Sequence, residues 1–126
     1  MPSNAEWDIL LRFVDGTSGT ESPYSSKTAG KYLKAKIGWN DYKGESTNGT
    51  DTYNFSALPS GIFAVFNSKS KFSEIGIACY WWSSTSKYDA FSNYIYFMHN
   101  VLGEDAVLNV DNIDKNSLYS IRCVQD

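Results

Sequence analysis

Histidine is almost missing from this chain: His99 is the only one in 126 residues. A metal site built on several histidines is therefore excluded, as is any motif that needs a histidine pair. Basic residues are in the minority, with 11 Lys and Arg against 14 Asp and Glu and a net charge of −3. With a pI near 5.0, the chain lacks the electrostatic footprint of a nucleic-acid binder. Lys27, Lys31, Lys34 and Lys36 form the one local cluster, and their spacing reads as a solvated face. No apolar run approaches the roughly 18 residues of a membrane span. Residues 1–15 are amphipathic and acidic rather than basic and then apolar, so no export signal is legible in them. No Gly-rich phosphate loop and no nucleophile-elbow serine occurs. Methionine is scarce, with 2 residues, and cysteine is limited to Cys79 and Cys123.

Aromatic side chains are what the chain has in abundance. Nine Tyr, 7 Phe and 4 Trp make up 16% of it, a composition of aromatic strands rather than of a helical bundle. A length of 126 residues predicts one domain with a real core. The densest aromatic stretch is Cys79-Tyr80-Trp81-Trp82-Ser83-Ser84-Thr85. Successive side chains of a strand point to opposite faces, so Trp81 and Trp82 cannot both enter one core. Cys79, Trp81 and Ser83 share one face, and Tyr80 and Trp82 share the other. One tryptophan anchors the core. The other is covered by a second apolar layer or offered to a ligand.

The chain opens with a helix signal. Ser3-Asn4-Ala5-Glu6 has the capping-box spacing, and Trp7, Leu10, Leu11 and Val14 follow at i, i+3, i+4 and i+7. Asp15 and Gly16 end it. A Ser/Thr/Gly-rich linker runs over 16–26, and a second, shorter helix is predicted over about 27–35, interrupted by Gly30. From Gly38 to Pro59 neither period survives, which predicts a long structured loop of the kind that often carries function. Strands are predicted over 61–66, 75–83, 93–98, 106–110 and 118–124. Helices followed by short antiparallel strands define an α+β class.

Several pieces resemble one family in order and spacing. Pro2-Ser3-Asn4-Ala5-Glu6-Trp7 is similar to the opening of formylglycine-generating-enzyme-like domains. Gly38-Trp39-Asn40, Gly49-Thr50-Asp51 with Tyr53 and Phe55-Ser56-Ala57-Leu58-Pro59, Tyr80-Trp81-Trp82-Ser83-Ser84-Thr85, and Ile121-Arg122-Cys123-Val124 with Asp126 together resemble the Fibrobacter succinogenes major paralogous domain. The resemblance covers essentially the whole chain and implies an irregular C-type-lectin-like fold. It also implies export to the cell surface or beyond, with no assigned activity. In the family a strand-bearing region ending in a C-P-x-G-W-H-L-P pattern normally precedes the capping box. Met1 stands where the Leu of that pattern would be, so the chain reads as an N-terminally shortened domain. An exposed sheet edge, with dimerisation or strand exchange, is the expectation that follows.

Three readings of the cysteines stay open: two small buried side chains, a Cys79–Cys123 disulfide, or a Cys123 whose partner belongs to the upstream region. The disulfide would contribute roughly 4 kcal/mol by closing its loop. The resemblance does not carry oxidase chemistry, because the copper-using enzymes act through a close cysteine pair and Lys115 to Arg122 contains no cysteine. His99 and Asn100 read as turn residues, and Glu104 with Asp105 as a solvated turn. The chain is therefore expected to be non-catalytic and to need no cofactor.

The candidate binding residues are Trp39, Tyr80, Trp81, Trp82, Tyr94 and Tyr96, aromatic rings suited to stacking on a polysaccharide or receiving a surface protein. Trp39 and Tyr53 of the 38–59 loop could instead pack over the second face. Asp41, Asn48 and Asp51 could supply oxygen ligands to calcium. Turn formation explains the same residues.

Overall fold

A computed structural model describes residues 1–66, 69–88, 92–99, 106–113 and 116–124, and for 65–66, 69, 87–88, 92–98 and 111–113 it describes the backbone alone. Its elements are α1 (Asn4–Asp15), α2 (Ala29–Leu33), β1 (Ile62–Phe66), β2 (Lys69–Ser73), β3 (Ala78–Tyr88), β4 (Ser92–His99) and β5 (Leu108–Ile113). This is a small α+β fold.

Helix α1 begins where the capping box places it. Ser3 Oγ accepts from the Glu6 backbone N–H, and the Glu6 carboxylate accepts from the Ser3 N–H at 2.8 Å. The Ser3 N–H first, and then the Ser3 hydroxyl, which also donates to the carboxylate, hold the Glu6 carboxyl below its ordinary pKa. Gly16 closes the helix with φ 64°, and its N–H turns back to the Arg12 and Phe13 carbonyls. Trp7, Leu11 and Val14 are buried along one stripe. The helix start is stitched to the stretch after the double tryptophan: Asn4 N–H donates to Thr85 Oγ1 at 2.9 Å, and Ser84 N–H donates to the Pro2 carbonyl at 2.8 Å.

Strands β1 and β2 form an antiparallel hairpin, and β3, β4 and β5 an antiparallel sheet in that order. A parallel bridge between Gly61 and Cys79 joins the two. The core gathers Trp7 and Leu11 of α1, Ala29 and Leu33 of α2, Trp39 and Ala57 of the loop, Cys79 and Trp81 of β3, and Val107. Among the described residues no helix is long and apolar enough to cross a membrane.

Three expectations are corrected. Strand β2 falls where the sequence shows no strand signal, because Lys69 to Ser73 is held by backbone pairing with β1 rather than by an apolar face. Among the described residues β2 pairs in a ladder with β1 alone. The strand predicted over 118–124 is reduced to isolated bridges, Phe63 with Leu118 and Trp81 with Ser120. One residue of this segment serves each sheet, so no ladder develops. The lysine cluster is not uniformly solvated. Lys27, Lys31 and Lys36 are exposed, but Lys34 is 2% exposed, its ammonium donating to the His99 carbonyl and lying 4.7 Å over the Trp39 ring.

The 38–59 loop docks on α2 through backbone hydrogen bonds: Gly49 N–H to the Ala35 carbonyl, Thr50 to Lys31, and Ala57 to Leu33. Gly49 is required by proximity, since a Cβ there would lie 2.2 Å from the Lys34 carbonyl oxygen. Gly49→Ala is expected to lower stability by about 1–3 kcal/mol. Urea denaturation checks this, and an unchanged midpoint would show that the loop tolerates a shift at this contact.

Candidate functional site: an aromatic row on the outer face of β3

The alternation along β3 sorts the double tryptophan as its period requires. Cys79, Trp81 and Ser83 are buried, while Tyr80 and Trp82 are half-buried. Trp81 sits between α1 and the loop. Its ring lies 5.7 Å from Trp7 and 5.7 Å from Phe55, the latter edge-on at 86°. The loop therefore covers the Trp81 face and leaves the other to different neighbours.

Those neighbours come from the C-terminal segment. Ser120 runs parallel to β3, with Ser120 N–H donating to the Tyr80 carbonyl and Trp82 N–H to the Ser120 carbonyl. This places Tyr119 on the same face as Tyr80 and Trp82. Its ring is 4.7 Å from Trp82 at 77° and 5.5 Å from Tyr80 at 41°. The result is a half-buried row, Trp82–Tyr119–Tyr80, whose planes are tilted against one another. The Tyr80 hydroxyl donates to the Glu74 carboxylate at one end. The hydroxyls of Ser60 and Ser120 meet at 2.9 Å where the C-terminal segment crosses β3. Tyr119 was not among the residues singled out from sequence. The signal for it was the alternation of Tyr119, Ile121 and Cys123, which needed the parallel pairing with β3 to acquire meaning.

Burial, and then the Glu74 hydrogen bond and charge, raise the Tyr80 pKa well above the ordinary phenol value. The neutral phenol is thus the form the fold stabilises. That contribution is complete below the unfolded pKa of about 10, and is lost above it as the unfolded chain ionises first. The stability gap between the wild type and Tyr80→Phe should therefore stay level from about pH 8 to about pH 9 and narrow from about pH 10 to about pH 11. Urea unfolding across that range reads it, and a constant gap would refute the assignment.

Two of the predicted binding residues are withdrawn from solvent. Trp39 is 4% exposed and its indole N–H donates to the Ala57 carbonyl at 3.0 Å, while Trp81 is 5% exposed. Both are core because α1 and the loop close over them. Tyr94 and Tyr96 belong to β4, whose register sets Tyr96 opposite Trp81 and Ile95 opposite Trp82. The side chains of Tyr94 and Tyr96 lie outside the described residues. Glu104 and Asp105 also lie outside them.

The calcium candidates act as loop ties. Asn48 Oδ1 accepts the Trp39 N–H at 3.1 Å. Asp51, at φ 48°, accepts from the Ser56 hydroxyl and N–H, both at 2.7 Å. Those bonds hold the Asp51 carboxyl below its ordinary pKa, the Ser56 hydroxyl contributing most. Asp41 is exposed. Among the described residues no group of three or more His, Cys, Asp or Glu is placed to hold a metal. Both cysteines are thiols, Cys79 buried in β3 and Cys123 exposed in the C-terminal segment. His99 ends β4, paired opposite Ala78.

A small α+β domain thus carries a half-buried aromatic row on one face of β3. The chain belongs to the Fibrobacter succinogenes major domain family, whose model matches residues 1–125. This is a bacterial paralogous domain of uncharacterised function. No curated protein and no solved structure matches the chain.

Proposed function

We propose that the chain is a non-catalytic recognition module of an exported or cell-surface protein, and that it binds a neutral polysaccharide through Tyr80, Trp82 and Tyr119. The observation that supports this most is the half-buried aromatic row left open on β3 after Trp81 has filled the core. Rings present a large area with little conformational entropy to lose, which suits stacking on the apolar faces of sugars. The Glu74 carboxylate, which accepts from the Tyr80 hydroxyl, supplies an acceptor for sugar hydroxyls beside the rings. A net charge of −3, with a carboxylate at the row itself, disfavours polyanionic glycans.

The tilts of 41° and 77° decide the physical form of the ligand. Rings so inclined offer no common plane to a crystalline surface. They suit a single glycan chain that turns from one sugar to the next. A C-type-lectin-like variant of the α+β fold is part of this reading, supported by the two helices that precede the strands and the long docked loop. Export follows from the family resemblance. A display scaffold with no small-molecule ligand is the alternative.

Affinity gels containing neutral soluble glucans, xylans or mannans test the proposal, with insoluble cellulose as the contrasting arm. The expected result is retardation by at least one soluble glycan, weak cellulose retention, and loss of retardation in Trp82→Ala. Wild-type protein that migrates unretarded in every gel would favour the display scaffold.

A further inference from the structure

A second concavity lies on the opposite side of the core from the aromatic row. It is a groove of about 280 Å³ between the first turns of α1, the 38–59 loop and the C-terminal segment. Trp7, Leu10, Phe55 and Val124 make it apolar, and Arg122 is its one cation. The Arg122 guanidinium stacks 4.0 Å over the Phe55 ring. Stacking occupies the face of a guanidinium and leaves the in-plane N–H edges directed outward. No carboxylate or carbonyl among the described residues takes those donors. The Glu6 carboxylate on the rim is engaged by Ser3 through one oxygen, Oε2, which accepts from the Ser3 N–H and hydroxyl, both at 2.8 Å.

We propose that this groove binds a small apolar monocarboxylate, the size of one amino-acid residue, whose carboxylate is taken by Arg122 and whose body lies on Trp7, Leu10 and Phe55. A planar guanidinium fixed by a ring matches a carboxylate in a bidentate way, and it does so in a setting where water competes less. The volume stands at the low end of ligand pockets, which limits the ligand to a single ring or a branched chain. The presence of Glu6 on the rim selects against dianions, including phosphate monoesters. This site is independent of the glycan row: the two lie on opposite faces of β3 and share no side chain.

Isothermal titration with 3-phenylpropionate and with its neutral amide tests the assignment on the intact chain. The acid is expected to bind saturably below about 10 mM, and the amide about tenfold or more weakly. Arg122→Gln should abolish the difference between acid and amide, Arg122→Lys should retain part of it, and Trp82→Ala should leave it intact. Circular dichroism verifies that each variant is folded. Equal affinity for acid and amide in the wild type, or no saturable binding of the acid, overturns the proposal without reference to any variant.

Discussion

Trp81→Ala is expected to lower the unfolding free energy by about 3–5 kcal/mol, the range for removing a buried large aromatic side chain. The ring is 5% exposed and wedged between Trp7 and Phe55, so its loss opens a void that neither α1 nor the loop can fill without moving. That is a large part of the 5–15 kcal/mol that holds a typical domain together. For a chain of this size the melting temperature should fall by roughly 10 °C or more. Trp81→Phe, which keeps a ring in the site, should recover most of the loss. Trp82→Ala should cost only about 1–2 kcal/mol, because its ring is half-buried and meets Tyr119 by an edge. Calorimetry on the three variants reads the contrast. Equal losses for Trp81→Ala and Trp82→Ala would contradict the division of faces.

In binding the order of the two tryptophans reverses. Trp82→Ala and Tyr119→Ala are each expected to weaken glycan binding by roughly 2 kcal/mol, about thirtyfold, as central aromatic anchors do. The folded fraction of Trp81→Phe should bind like the wild type, since that ring never meets solvent. Tyr80→Phe is the informative intermediate. It keeps the ring and removes only the hydroxyl that donates to Glu74, so a small loss separates stacking from the polar contribution. A loss as large as that of Trp82→Ala would show that the Tyr80–Glu74 hydrogen bond, rather than the row, carries recognition.

What was legible in advance was what neighbouring residues decide among themselves. The α1 start follows from Ser3 and Glu6, three residues apart, and its buried stripe from Trp7, Leu11 and Val14. The partition of Tyr80 and Trp82 from Cys79, Trp81 and Ser83 follows from the strand period alone. Which face would close did not follow, because that is decided by Trp7 and Phe55, far away in the chain. For the same reason Trp39 read as a binding residue: its burial depends on the loop folding back so that Ala57 can accept its N–H. Lys34 shows the limit from the polar side. Spacing placed it with solvated lysines, yet a carbonyl of β4 and the Trp39 face receive its ammonium in the interior. Strand β2 carried no apolar alternation because it is half of a hairpin edge. Arg122 and Tyr119 stood inside a predicted strand whose face assignments depended on partners in β3 and the loop.

The division of the double tryptophan into a core anchor and an open ligand face is most directly tested by one comparison. Titration calorimetry with a soluble neutral oligosaccharide taken from the glycan that retards the protein, run on the wild type and on Trp82→Ala, gives two dissociation constants. A rise of about thirtyfold in Trp82→Ala, with the fold intact by circular dichroism, is the predicted result. Equal constants for the two proteins would contradict it.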